Sequence, residues 1–107
     1  MKTIEEYYTL AKALFLEACP EIKSAIGALT EADAARAGLT LAQLRALQTD
    51  RAWAAWTRER KLDGMLFAIQ LAEPDKAVAA EAIEAYLRSH AEALGMSWEA
   101  FCIKNEL

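Results

Sequence analysis

The stretch from Asp50 to Ala72, DRAWAAWTRERKLDGMLFAIQLA, carries bulky apolar residues on more than one side of a helix, and this constrains the fold more than any other segment. At about 100° per residue, Ala55, Leu62, Met65, Leu66 and Ile69 share one face, while Trp53, Trp56, Phe67 and Leu71 share a roughly opposite one. A helix apolar on two faces must be covered on both, so the pattern predicts a central helix near 50–72 with the other helices packed around it. Unbroken, it would be about 34 Å long, enough to cross a small domain. Asp63-Gly64 is its weak point, since a glycine inside a helix costs about 1 kcal/mol relative to alanine. A helix broken there is the alternative.

Capping residues divide the rest of the chain. Thr3 and Glu6 have capping-box spacing, and Ile4, Tyr8, Ala11, Phe15 and Ala18 then recur at helical intervals, with Tyr7 and Leu14 widening the stripe. Pro20 ends this helix and can serve as the first residue of a short second one, with Ile22, Ile26 and Leu29 inward. Thr30 opens a third that stops at Gly38, and Thr40 with Gln43 opens a fourth with Leu41, Leu44 and Leu47 on one face. Gln48-Thr49-Asp50 is either a turn or a continuation into the central helix. Glu73-Pro74-Asp75 is a break, with Pro74 suited to the first helical position. The next helix runs to Leu94, with Val78 or Ala79, Ile83, Tyr86, Leu87, His90 and Leu94 on its inner side, and Gly95 ends it. Ser97 caps a last short helix that offers Trp98, Phe101 and Cys102 for docking. Nothing alternates with period two for long enough to suggest a sheet. The expected architecture is all-α: one domain over residues 1–107, a small bundle of about five or six helices around the central one.

Several chemistries have no place in this chain. His90 is the only histidine and position 87 is leucine, which leaves no histidine cluster and no Glu-x-x-His pair for a helical metal site. Cys19 and Cys102 are far apart and in no metal or redox spacing, so both are read as reduced structural thiols. The four glycines are isolated, so no phosphate-cradling loop exists. Glu81 and Glu84 share a helical face but read as solvated surface. No catalytic residue, metal or cofactor is assigned, and the expectation is a non-enzymatic protein. No apolar run reaches the roughly 18 residues of a membrane span, and the N-terminus lacks the apolar core of an export signal. A cytoplasmic protein of a bacterium with a GC-rich, alanine-favouring genome is the reading that follows.

Charge is unevenly spread. Residues 1–33 carry three basic and six acidic groups, residues 34–62 carry six and two, and residues 63–107 carry three and eight. The basic middle either faces an acidic partner or is neutralised by its own flanks. Within it, Ala34-x-x-x-Gly38-Leu39-Thr40-x-x-x-Leu44-x-x-Leu47 resembles the helix-turn-helix of DNA-binding proteins. That resemblance implies a nucleic-acid-binding regulator using residues 30–47, with Arg36, Arg45 and Arg51 on phosphate. A similar corner recurs at Ala91-x-x-x-Gly95-Met96-Ser97-x-x-x-Phe101, which favours a generic way of joining helices. The leading expectation is therefore a helical protein-interaction module that binds a protein partner or a second copy of itself. Its candidate surface is the stripe Trp53, Trp56, Arg60, Phe67 and Leu71, because interfaces favour tryptophan and arginine. The competing reading of that stripe is core covered by the terminal helices.

Overall fold

The computed structural model describes all 107 residues and contains seven helices and no strand. They are α1 (Ile4–Ala18), α2 (Pro20–Gly27), α3 (Glu31–Ala37), α4 (Leu41–Glu59), α5 (Gly64–Ala72), α6 (Lys76–Ala93) and α7 (Trp98–Lys104). The capping boxes at Thr3/Glu6 and Thr40/Gln43 form as the spacing predicts, and a third joins Thr30 to Asp33. Asp75 itself caps α6, accepting from the amides of Ala77 and Val78, so Pro74 sits before the cap rather than at the first helical position.

A single central helix over 50–72 does not form. α4 runs without interruption through Gln48-Thr49-Asp50 and ends at Glu59, and the chain then reverses before α5 begins at Gly64. The break is built from backbone and cap together. Lys61 takes a left-handed conformation (φ 56°), its amide donates to Arg58 O, and the Leu62 amide donates to Thr57 O at 2.9 Å. Asp63 then accepts from the amides of Met65 and Leu66 at 2.9 and 3.0 Å, starting the new helix. The physical reason lies in the two apolar faces: folded back, α4 supplies Trp53 and Trp56, α5 supplies Phe67, and the rings pack at 5.6 and 5.3 Å between centroids. One straight helix would have needed two separate coverings for the same surface. This break also brings the helix count to seven.

The same corner occurs three times. At Gly38-Leu39-Thr40 and Gly95-Met96-Ser97, a left-handed residue is followed by an apolar residue whose amide bonds five residues back, then by a helix N-cap. Lys61-Leu62-Asp63 repeats it with lysine in the place of glycine. A side chain in the left-handed region costs about 1–2 kcal/mol. Lys61→Gly should therefore raise the stability by roughly 0.5–1 kcal/mol once the added chain entropy of glycine is set against the relieved strain. A chemical-denaturation midpoint that falls would contradict this account of the turn.

The core lies chiefly between α1 and α5, the most extensively packed pair of helices. Tyr7, Ala11 and Phe15 of α1 meet Met65, Ala68, Ile69 and Ala72 of α5, with Trp53 from α4 and Ala79 and Ala82 from α6 closing the sides. The predicted α1 stripe thus shifts by a few tens of degrees: Tyr7 is central, while Ile4, Leu14 and Ala18 are exposed. On α6, Leu94 points outward and is 54% exposed, against its predicted inner position. α2 has no fully buried residue, so Ile22, Ile26 and Leu29 are only half covered. Alanine at so many contact positions lets helix backbones approach closely but buries little area per residue, which leaves a thin core. The protein measures 51 × 29 × 25 Å with a radius of gyration of 16.6 Å. A compact chain of this length would have about 13 Å.

Candidate partner surfaces

Four of the five residues predicted as a partner stripe come together, but across two helices rather than along one. Trp53 is core, 3% exposed, with the Phe15 and Phe67 rings at 5.4 and 5.6 Å and Tyr8 edge-on at 6.3 Å. Its indole N–H is buried without a hydrogen-bond partner beside Gly64, where a Cβ would stand 3.2 Å from both that nitrogen and the Tyr8 hydroxyl. Any larger residue there would press on both side chains, so glycine eases the close approach of α5 to α4 and opens α5 rather than interrupting a helix. Trp56 is half-buried against Phe15 and Phe67. Arg60 covers its outer side, the guanidinium 3.9 Å above the ring and Nη1 donating to Trp56 O at 3.2 Å. Phe67 is half-buried, and Leu71, one turn further on, is exposed. The helix break between α4 and α5 is what assembles this cluster.

The arginines of the helix-turn-helix resemblance are scattered in role. Arg45 donates to the carbonyls of Gly27 and Leu29 at 3.1 and 3.3 Å, tying α4 to the end of α2. Arg36 is paired with Asp33 on its own helix. The Asp33 carboxylate also accepts from the amide and hydroxyl of Thr30, and these bonds, with Arg36 adding to them, hold its pKa below the ordinary 3.8. Glu6 is lowered in the same way by Thr3. Of these three arginines, Arg51 alone is exposed with no ion pair.

The groups that could carry chemistry are dispersed. His90 is exposed, stacked on Tyr86 at 6.2 Å with Phe101 edge-on at 5.9 Å. Cys19 and Cys102 are both free and half-buried, Cys19 against the core cluster. Tyr7 is fully buried, and its hydroxyl donates to Glu73 Oε1 at 3.0 Å while accepting from the Lys2 amide. Burial, then the neighbouring Glu73 carboxylate, push its pKa above the usual tyrosine value. No three His, Cys, Asp or Glu side chains converge in a metal-holding geometry. No helix is long and apolar enough to cross a membrane.

A second surface escaped the sequence reading. α7 packs on α6, with Phe101 3% exposed and Trp98 stacked on it at 5.8 Å. Between the two helices runs an open groove of about 530 Å³, lined by Ala80, Ile83, Leu87, Trp98 and Leu107 with Glu81 and Glu84 at its side. Three of the four most exposed large apolar residues lie in the same C-terminal part, Ile103 at 80%, Leu107 at 65% and Leu94 at 54%, the fourth being Met1 at 72%. Periodicity placed Ile83 and Leu87 in the core and the two glutamates on a solvated face. The signal available was the breadth of the apolar arc on α6, wider than one neighbouring helix covers.

The total accessible surface is 7188 Å². A compact monomer of 11.8 kDa exposes about 5,900 Å², so roughly 1,300 Å² is in excess. No curated protein and no solved structure matches the sequence. Over residues 1–107 it matches the family of unknown function DUF6388, and the chain belongs to that family.

Proposed function

We propose that this chain is a non-enzymatic helical protein-interaction module of the bacterial cytoplasm that associates with copies of itself. The observation that supports it is the excess surface, about 1,300 Å² beyond a compact chain of this mass, together with a thin core and apolar side chains standing in the open. A specific interface takes about 800 Å² from each partner, which the excess accommodates. Sedimentation equilibrium over a wide protein concentration range tests it, with a mass rising to twice that of the chain as the expected result. A monomer mass throughout would overturn the reading. The helix-turn-helix reading has less support, since Arg45 and Arg36 are engaged within the fold and the corner after α3 is one of three alike. Salt-sensitive retardation of duplex DNA by the same sample would restore it.

A further inference from the structure

We propose that the α6–α7 groove receives the α4–α5 corner of a second copy of this chain. The inference rests on the self-association proposed above and names its two faces. The corner projects from the fold: residues 58–63 are all exposed, and Leu62 at its tip is 39% exposed. Its acids are occupied, Glu59 by Arg60 at 3.8 Å and Asp63 by the amides that begin α5. Its cations Arg58 and Lys61 have no ion-pair partner. The corner therefore offers an apolar tip with three basic groups, Arg58, Arg60 and Lys61, against two acidic ones, Glu59 and Asp63, a net charge of +1.

The groove offers the complement. Ile83, Leu87, Trp98 and Leu107 provide an apolar floor, and Glu81 and Glu84 stand beside it. Glu81 has no ion pair, while Glu84 shares one with Arg88 at 3.2 Å, and the Arg88 guanidinium lies 4.4 Å over the Trp98 ring, so the groove carries two acidic groups against one basic one. Charge decides which faces can meet. Groove against groove would set Glu81 and Glu84 of two copies together, and corner against corner would do the same with Arg58 and Lys61. Only groove against corner juxtaposes opposite charges, which favours encounter and rejects the other registers. The proposed pair is two-fold: each copy gives its corner and receives its partner's, so the contact is made twice.

The test is charge reversal followed by sedimentation equilibrium of the whole chain at low and at moderate salt. Glu81→Lys with Glu84→Lys, and separately Arg58→Glu with Lys61→Glu, should each weaken association roughly tenfold or more, because each sets like charges in contact. A chain carrying all four changes should recover it, as should an equimolar mixture of the two paired variants. Loss of a helix or of core packing would not be repaired by a second reversal elsewhere. Glu81→Lys combined with Lys61→Glu disturbs no ion pair within the protomer and gives the same reading should the four-change chain melt early. If the wild type associates and the paired variants associate equally well, this inference falls while self-association stands. A wild type that stays monomeric removes both, and a paired loss with no recovery in the mixture removes the groove-and-corner pairing alone.

Discussion

Trp53→Ala is expected to cost about 3–5 kcal/mol of folding stability, the range for large aromatic truncations in cores. The ring is 3% exposed and joins three helices through Phe15 and Tyr8 of α1 and Phe67 of α5. Removing it opens a cavity that those rings, already packed on α5, cannot fill by small shifts. Single domains have total stabilities of about 5–15 kcal/mol, so a thinly cored chain will lose much of its folded population at physiological temperature. Trp56→Ala should cost less, about 1–3 kcal/mol, because its ring is half-buried and the truncated site stays open to water. Urea denaturation followed by circular dichroism measures both. A Trp53 variant that stays fully stable but changes its association mass would return that residue to an interface role.

Phe101→Ala should also be large, about 3–5 kcal/mol, but local. Phe101 is 3% exposed and anchors α7 to α6, with Trp98 stacked on one side and His90 edge-on at another. It stands outside the main core cluster, and α7 packs chiefly on α6. The variant should therefore release residues 98–107 while the α1–α5 core stays closed, a sub-global opening rather than global unfolding. Amide hydrogen exchange resolves the two: fast exchange confined to α7 and the end of α6 is the expected result. Uniform loss of protection across α1 and α5 would show that the C-terminal helix belongs to the same cooperative unit. The variant also removes one wall of the α6–α7 groove, so its association should weaken along with its α7 protection.

Most helix starts were legible because an N-cap is a local device. Thr3, Thr30, Thr40 and Ser97 each place a hydroxyl within reach of an amide three residues on, and neither partner depends on anything distant. The stops at Gly38 and Gly95 were legible for a related reason, since glycine advertises a left-handed turn. Lys61 makes the same turn and advertises nothing. Its conformation is imposed by the packing of Phe67 on Trp53 and Trp56, a contact between residues that periodicity had placed on a single helix.

The same break redistributes the candidate partner stripe. Trp53, Trp56, Phe67 and Leu71 share a face only if residues 50–72 form one rod, and folding at residues 60–63 turned that shared face inward upon itself. The α6–α7 groove was invisible because exposure on α6 depends on how far α7 reaches across it. Local spacing, caps and composition determined by themselves that this chain is all helix, where most of its helices begin, and that its apolar residues outnumber the surfaces one straight helix could cover. The tertiary structure alone decided where the longest apolar stretch breaks, which aromatic rings become core, and which apolar side chains are left for a partner. Those outcomes depend on contacts between residues distant in sequence, whose gain outweighs the roughly 1–2 kcal/mol of local strain at a turn.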